Sequence, residues 1–165
     1  MKSNVIFYED KSQSYFNLFN PAFCGHLMRI CISEYENNSK KKMPFSLSFL
    51  ILPLLLHKEL RDSIDHNTNL HTWTFENYHK LTDFDKNVKD RIDITKSTLI
   101  YLLQTDSLAI DKDATLRILN YRQPTTFSSD DLELREFYKK SRYLGRWFTH
   151  TDDLPTIFSL LGVRP

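Results

Sequence analysis

Apolar residues recur at helical spacing through most of this chain, and only one stretch alternates like a strand. Phe23, Leu27, Ile30 and Cys31, with Glu34 following, stand behind Asn20-Pro21. Asparagine is a good N-cap, and a proline in the first turn lacks only an N–H that would go unpaired there. The pattern predicts a first helix from Pro21 to about Glu36, then a polar, basic loop over 37–42 that ends before Pro44. Residues Phe45 to Leu60 are apolar on nearly every side and predict the most buried helix. Pro53 should kink it near Phe49, whose carbonyl it cannot bond. A turn over 65–69 leads into Leu70-His71-x-Trp73 and a short helix to about Tyr78. A longer helix over 85–104 carries Val88, Ile92, Thr95, Leu99, Leu102 and Leu103.

From Ser107 to Leu119 the period changes to two. Leu108, Ile110, Leu116 and Ile118 flank Asp111-Lys112-Asp113-Ala114, which reads as a hairpin with a four-residue acidic turn. Residues 120–130, with Pro124, read as a loop. Ser129 or Asp130 is expected to cap the last long helix, with Glu133 at the capping-box position after Asp130 and an end near Thr149. Asp152-Asp153 precede a short helix over 155–161, which Gly162 stops. Residues 1–14 are polar and expected to be loose, with Val5–Tyr8 a candidate short strand. The expected fold is mostly α (α+β): one compact helical domain over 15–165 with a single short β-hairpin. Its helix–hairpin–helix half, 85–149, is compatible with a winged-helix-like unit.

Composition narrows the function classes. The chain has 165 residues, 41% of them hydrophobic and 26% charged, ordinary for one globular domain. A net charge of +1 gives no global bias toward nucleic acid or membranes. The longest apolar run, Phe45 to Leu56, is interrupted by two serines and a proline and is too short to span a bilayer. The first residues do not resemble a signal peptide, so a cytoplasmic protein is expected. Cys24 and Cys31 fall on one helix face, about 10 Å apart along its axis, too far for a disulfide. They read as small buried side chains in a reducing compartment. Aromatic residues are 13% of the chain, more than a plain surface uses, so they fill the core or an interface.

No set of residues at catalytic spacing emerges. Gly25, Gly145 and Gly162 are too dispersed for a phosphate-binding loop, and neither His-Glu-x-x-His nor Gly-x-Ser-x-Gly occurs. Asp111 and Asp113 lack the glycine and distal glutamate of a calcium loop and read as a plain turn. No enzyme, metal or cofactor is expected. His57 marks where the buried helix meets polar surroundings, either as a hydrogen-bonded helix-end residue or as part of an interface with Lys58 and Arg61.

The strongest constellation is on the last long helix. Leu134, Phe137, Tyr138, Leu144 and Phe148 form its core stripe. Arg135, Lys139, Arg142 and Arg146, spaced four, three and four apart, share a neighbouring face. Such a row is a solvated surface, a clasp for acidic residues, or a grip on phosphates. Gly145 sits in this helix, where glycine costs ~1 kcal/mol against alanine, so it should admit close approach of another element. Arg146 and Trp147 beside it are residue types enriched at interface hot spots. The final Val163-Arg164-Pro165 is expected to be ordered against the core or a partner.

Five segments occur in order: Asn20-Pro21-Ala22-Phe23; Leu52-Pro53-Leu54-Leu55-Leu56-His57-Lys58 with Arg61-Asp62; Leu70-His71-x-Trp73; Leu144-Gly145-Arg146-Trp147-Phe148; and Gly162-Val163-Arg164-Pro165. Together they resemble the small middle component of bacterial three-component ABC systems, the class that includes Lamassu-type anti-phage defence. The resemblance covers roughly residues 15–165. It implies a non-catalytic adaptor between an SMC-like ABC ATPase and an effector, often a nuclease, which the adaptor restrains or releases. Two partner surfaces are expected, one of His57, Lys58 and Arg61, the other of Arg146, Trp147 and Phe148 with Val163, Arg164 and Pro165. The alternative is a sequence-independent DNA-binding winged-helix module that uses the basic face of Arg135, Lys139, Arg142 and Arg146.

Overall fold

A computed structural model describes residues 18–120, 131–151 and 153–164. The first helix, α1 (Pro21–Ser39), starts where its sequence signals place it: the Asn20 side chain accepts from the Ala22 N–H at 2.8 Å. It ends in left-handed Lys40, whose N–H bonds the Glu36 carbonyl. A short strand, β1 (Met43–Pro44), and a 3-10 turn over Phe45–Leu47 lead into α2 (Ser48–Leu56). Then come α3 (Lys58–Ser63), α4 (Leu70–Glu76), a second 3-10 turn (Tyr78–Lys80), α5 (Phe84–Asp90) and α6 (Ile92–Gln104). The hairpin is β2 (Leu108–Ile110) and β3 (Thr115–Ile118), followed by α7 (Leu132–Thr149) and α8 (Leu154–Leu160).

Helix α2 is the centre of the core. Every residue from Leu50 to Leu56 is buried, as a helix that is apolar on all sides requires. It packs against α1, α5, α6 and α7. Each buried leucine contributes about 1.5–3 kcal/mol of transfer free energy. The largest helix–helix contact is between α1 and α7. It depends on Gly145: a Cβ there would lie 2.4 Å from the Cys31 carbonyl oxygen and 2.9 Å from the Glu34 Cβ. The glycine therefore admits a close neighbour, and that neighbour is this chain's own first helix.

Several boundaries differ from the sequence reading, each for a local reason. The 45–60 segment is not one helix kinked near Phe49. It breaks at His57 (φ −88°, ψ 109°), and Pro53 lies inside α2. Arg61 stabilises the break by donating from Nη1 to the Leu55 carbonyl at 2.9 Å, which satisfies an acceptor orphaned at the helix end. The 85–104 segment likewise divides at Arg91 (φ −110°, ψ 8°) into α5 and α6. The cap of α7 is Asp131, which accepts from the Glu133 and Leu134 N–H groups at 2.9 and 3.2 Å. Ser129, Asp130 and Asp152 lie outside the described residues, as do Val5–Tyr8 and Pro165. Asp153 caps α8 by accepting from the Thr156 N–H, and Gly162 follows it at φ +67°.

The hairpin forms as its alternation predicts, with Ala114 at φ 57° closing the turn. Asp111 in that turn pairs with Lys42 at 2.5 Å and Arg117 at 3.3 Å, and both cations hold its carboxyl below the usual range. The sheet has a third strand the sequence did not announce. Met43 and Pro44 pair with Leu116 and Thr115, giving the antiparallel order β1-β3-β2. Proline is tolerated there because β1 is an edge. The hairpin is thus completed by residues from before the 85–149 segment.

Cys24 and Cys31 are free and buried on α1. Burial pushes the Cys24 thiol up to about 12 and raises that of Cys31 as well.

Candidate interaction surface

Helix α7 divides into two faces. Inward, Phe137, Leu144, Trp147 and Phe148 enter the core, with the Phe137 ring edge-on to Phe23 and Trp147 against Trp73 at 5.3 Å. Outward, Arg135, Lys139, Arg142 and Arg146 line one groove of about 750 Å³ with Tyr138 and Tyr143. The structure therefore gathers all four cations expected on one face, and adds two tyrosines and an exposed Leu132 at one end. Among the described residues, Lys139 and Arg146 each stand beside a carboxylate. Lys139 lies 3.3 Å from Glu136, and Arg146 Nε donates to Glu34 Oε1 at 2.7 Å. Lys140 turns away and donates to the Ile64 carbonyl, tying α7 to the segment after α3.

Near its C-terminal end this groove runs into a second, smaller pocket. Tyr143 and Arg146 line both, and His66, Thr68, Trp147 and His150 complete the smaller one, about 90 Å³. His66 stacks on Tyr143 with ring centres 5.5 Å apart and is within 2.9 Å of Asp65. Trp147 is 2% exposed, and its buried Nε1 has no hydrogen-bond partner. By contrast, Trp73 Nε1 donates to the Ser63 carbonyl and hydroxyl.

The residues expected at the surface separate into two groups. Arg146, Lys58 and Arg164 are exposed. Trp147, Phe148 and Val163 belong to the core of this chain, all three inside its buried cluster and Trp147 packed against Trp73 of α4. Arg61 is also internal, at 4% exposure. Its guanidinium lies 4.0 Å over the Phe137 ring, bonds the Leu55 carbonyl and meets Glu133 at 3.5 Å. Burial pulls its pKa down, opposed by the Asp62 and Glu133 carboxylates. Arg61 thus joins α2, α3 and α7. Lys58 meets Arg61 only through Asp62, which lies 4.0 Å from the Arg61 Nε, and His57 faces elsewhere. Lys58 pairs with Asp62 at 2.5 Å in solvent, and His57 lines a groove of about 310 Å³ with charged residues of α5 and Lys80.

One surface feature escaped the sequence reading. Phe75 is 83% exposed and Tyr78 74% exposed, one at the end of α4 and the other in the 3-10 turn after it. The signal was available: Trp73 is the buried residue of α4, and a side chain two positions on points about 200° round the helix, toward water.

Among the described residues, no cluster of three or more His, Cys, Asp or Glu side chains could hold a metal, and no helix is long and apolar enough to cross a membrane. The fold is a mostly helical unit with a small antiparallel sheet, and its distinctive surfaces are a basic, tyrosine-lined groove and an exposed aromatic pair. Over residues 9–165 the chain matches the family described as ABC-three component (ABC-3C) system Middle Component 3, and it belongs to that family. Comparison with curated proteins and with solved structures yields no match.

Proposed function

We propose that this chain is a non-catalytic adaptor that holds an SMC-like ABC ATPase and an effector, often a nuclease, in one cytoplasmic anti-phage complex of the Lamassu type, restraining or releasing the effector. Membership of a middle-component family carries the reading, since a middle component implies partner proteins on either side. The surfaces support it. Arg and Tyr on α7, and Phe75 with Tyr78, are the residue types that supply most binding energy at protein interfaces, and they stand on separate elements. The buried Trp147, Phe148 and Arg61 would serve from beneath, fixing the angle at which α7 presents its cations. The test is co-expression of the tagged chain with the products of its neighbouring genes, followed by pull-down in the presence of nuclease. A three-part complex that resists nuclease supports the adaptor. A lone subunit that retains DNA and sheds it with salt sinks it.

A second reading, a DNA-binding winged-helix module, is favoured by one observation. The order α1, β1, helices, β2, β3, with β1 returning beside β3, is winged-helix-like. Its chemistry argues the other way. Helix α6, which leads into the hairpin, offers only Lys96 as a cation and carries Asp93, and the hairpin turn holds Asp111 and Asp113. Counterion release needs several cations on the inserted element, and here they are on α7 instead.

A further inference from the structure

We propose that the Glu36 carboxyl is a proton-operated latch at the joint between α1 and the sheet, holding the hairpin to α1 when protonated and loosening it when ionised. The latch belongs to this chain alone and works with or without a partner.

A cluster of groups at that corner carries it. Thr115 and Leu119 bond the β2 side of the ladder, so Leu116 and Ile118 turn their N–H groups toward β1. Met43, the first residue of β1, stands opposite Leu116, which leaves no strand residue opposite Ile118. The Glu36 carboxylate, from the last turn of α1, accepts the Ile118 N–H instead. Its Oε1 has no accessible surface and bonds nothing among the described residues. Lys42 and Arg117 are the cations that act on this carboxyl, and Asp111 engages both, at 2.5 and 3.3 Å. Two cations thus serve two carboxylates, and the one in the hairpin turn takes them. A buried carboxylate oxygen without a donor is costly while charged and far less so once the group is neutral. Burial accordingly raises the Glu36 pKa; the Ile118 N–H, Lys42 and Arg117 oppose the rise, and Asp111 adds to it. The closed joint therefore binds the proton more tightly than the open one. Its contribution is fully present below the ordinary carboxyl value and is lost as pH rises through the raised, closed-state value. Backbone strain falls at the same place: Lys40, whose N–H bonds the Glu36 carbonyl, is left-handed at φ 58°.

The test is amide hydrogen exchange of the whole chain across a pH series, with rates corrected for the intrinsic effect of pH. The hairpin, residues 107–119, is the segment to follow, and slow exchange in α2 certifies that each variant is folded. Wild-type hairpin protection should fall about tenfold for each pH unit between the open and closed pKa values of Glu36. Glu36→Gln, which keeps an acceptor for the Ile118 N–H and cannot ionise, should remove that fall. Asp111→Asn should move it to lower pH, because Lys42 and Arg117 then serve Glu36 alone. Hairpin protection with the same pH dependence in wild type and Glu36→Gln overturns the proposal, as does a fall that Asp111→Asn leaves in place. Carbon-13 NMR of the wild-type carboxyls decides the matter if either variant fails to fold: a Glu36 carboxyl that titrates at or below the ordinary glutamate value leaves no latch.

Discussion

Replacing Gly145 with alanine tests the packing on which α7 depends. A Cβ at that position would stand 2.4 Å from the Cys31 carbonyl oxygen, 2.9 Å from the Glu34 Cβ and 3.3 Å from the Cys31 carbonyl carbon. Ordinary contact begins near 3.4 Å, so α1 and α7 must separate by about 1 Å along that line. The nearest atom is backbone inside a helix and cannot rotate aside. Overpacking of this kind costs about 1–3 kcal/mol, and a backbone contact belongs at the upper end. Alanine returns about 1 kcal/mol through helix propensity, which leaves a net loss of about 2 kcal/mol. For a chain of this size that corresponds to a fall of about 4–8 °C in Tm. Gly25 is the contrasting site. Its nearest neighbour is the Cδ2 end of Leu102 at 3.0 Å, a flexible side chain that can give, so Gly25→Ala should stay within about 1 kcal/mol of wild type. Urea denaturation followed by tryptophan fluorescence reads both, because Trp73 and Trp147 lie together beneath α7. A Gly145→Ala protein as stable as wild type, with unchanged m-value, would refute the argument that this glycine sets the α1–α7 distance.

Three further outcomes follow from the same geometry. Arg61→Ala should cost about 2–4 kcal/mol in denaturant unfolding, since it orphans the Leu55 carbonyl and uncovers Phe137, and Arg61→Lys should recover only part because one ammonium cannot make both contacts. Phe75→Ser with Tyr78→Ser should change stability by less than about 0.5 kcal/mol yet weaken assembly with a partner in the pull-down; intact assembly would dismiss the aromatic pair as an interface. Both cysteine thiols have folded pKa values raised above the ordinary 9.0, so their contribution to stability is complete below that value and is lost as pH rises toward about 12. Native-state reaction with a thiol reagent near pH 8 should therefore be slow and accelerate only in denaturant, and prompt labelling of either cysteine would contradict their burial.

Much of this molecule is legible along the chain because its signals are local. Asn20-Pro21 starts α1, the period of two from Leu108 to Ile118 makes a hairpin, and the four-three-four spacing of Arg135, Lys139, Arg142 and Arg146 lays them on one helix face. Gly145 announced close packing because glycine inside a helix is otherwise unfavourable. What the sequence left open depends on partners distant in the chain. Met43 and Pro44 become a strand only because β3 arrives beside them, since a two-residue segment has no period to read. The break at His57, rather than a kink near Phe49, goes with Arg61 reaching back to the Leu55 carbonyl. Trp147 and Phe148 look like interface residues in isolation, and only tertiary packing, including Trp73 of α4 against Trp147, makes them core. Periodicity and caps thus determine which segments are helices and which faces are polar. Which apolar face meets which, and whether an aromatic side chain is left to the core or to a partner, is decided by long-range packing that no local window contains.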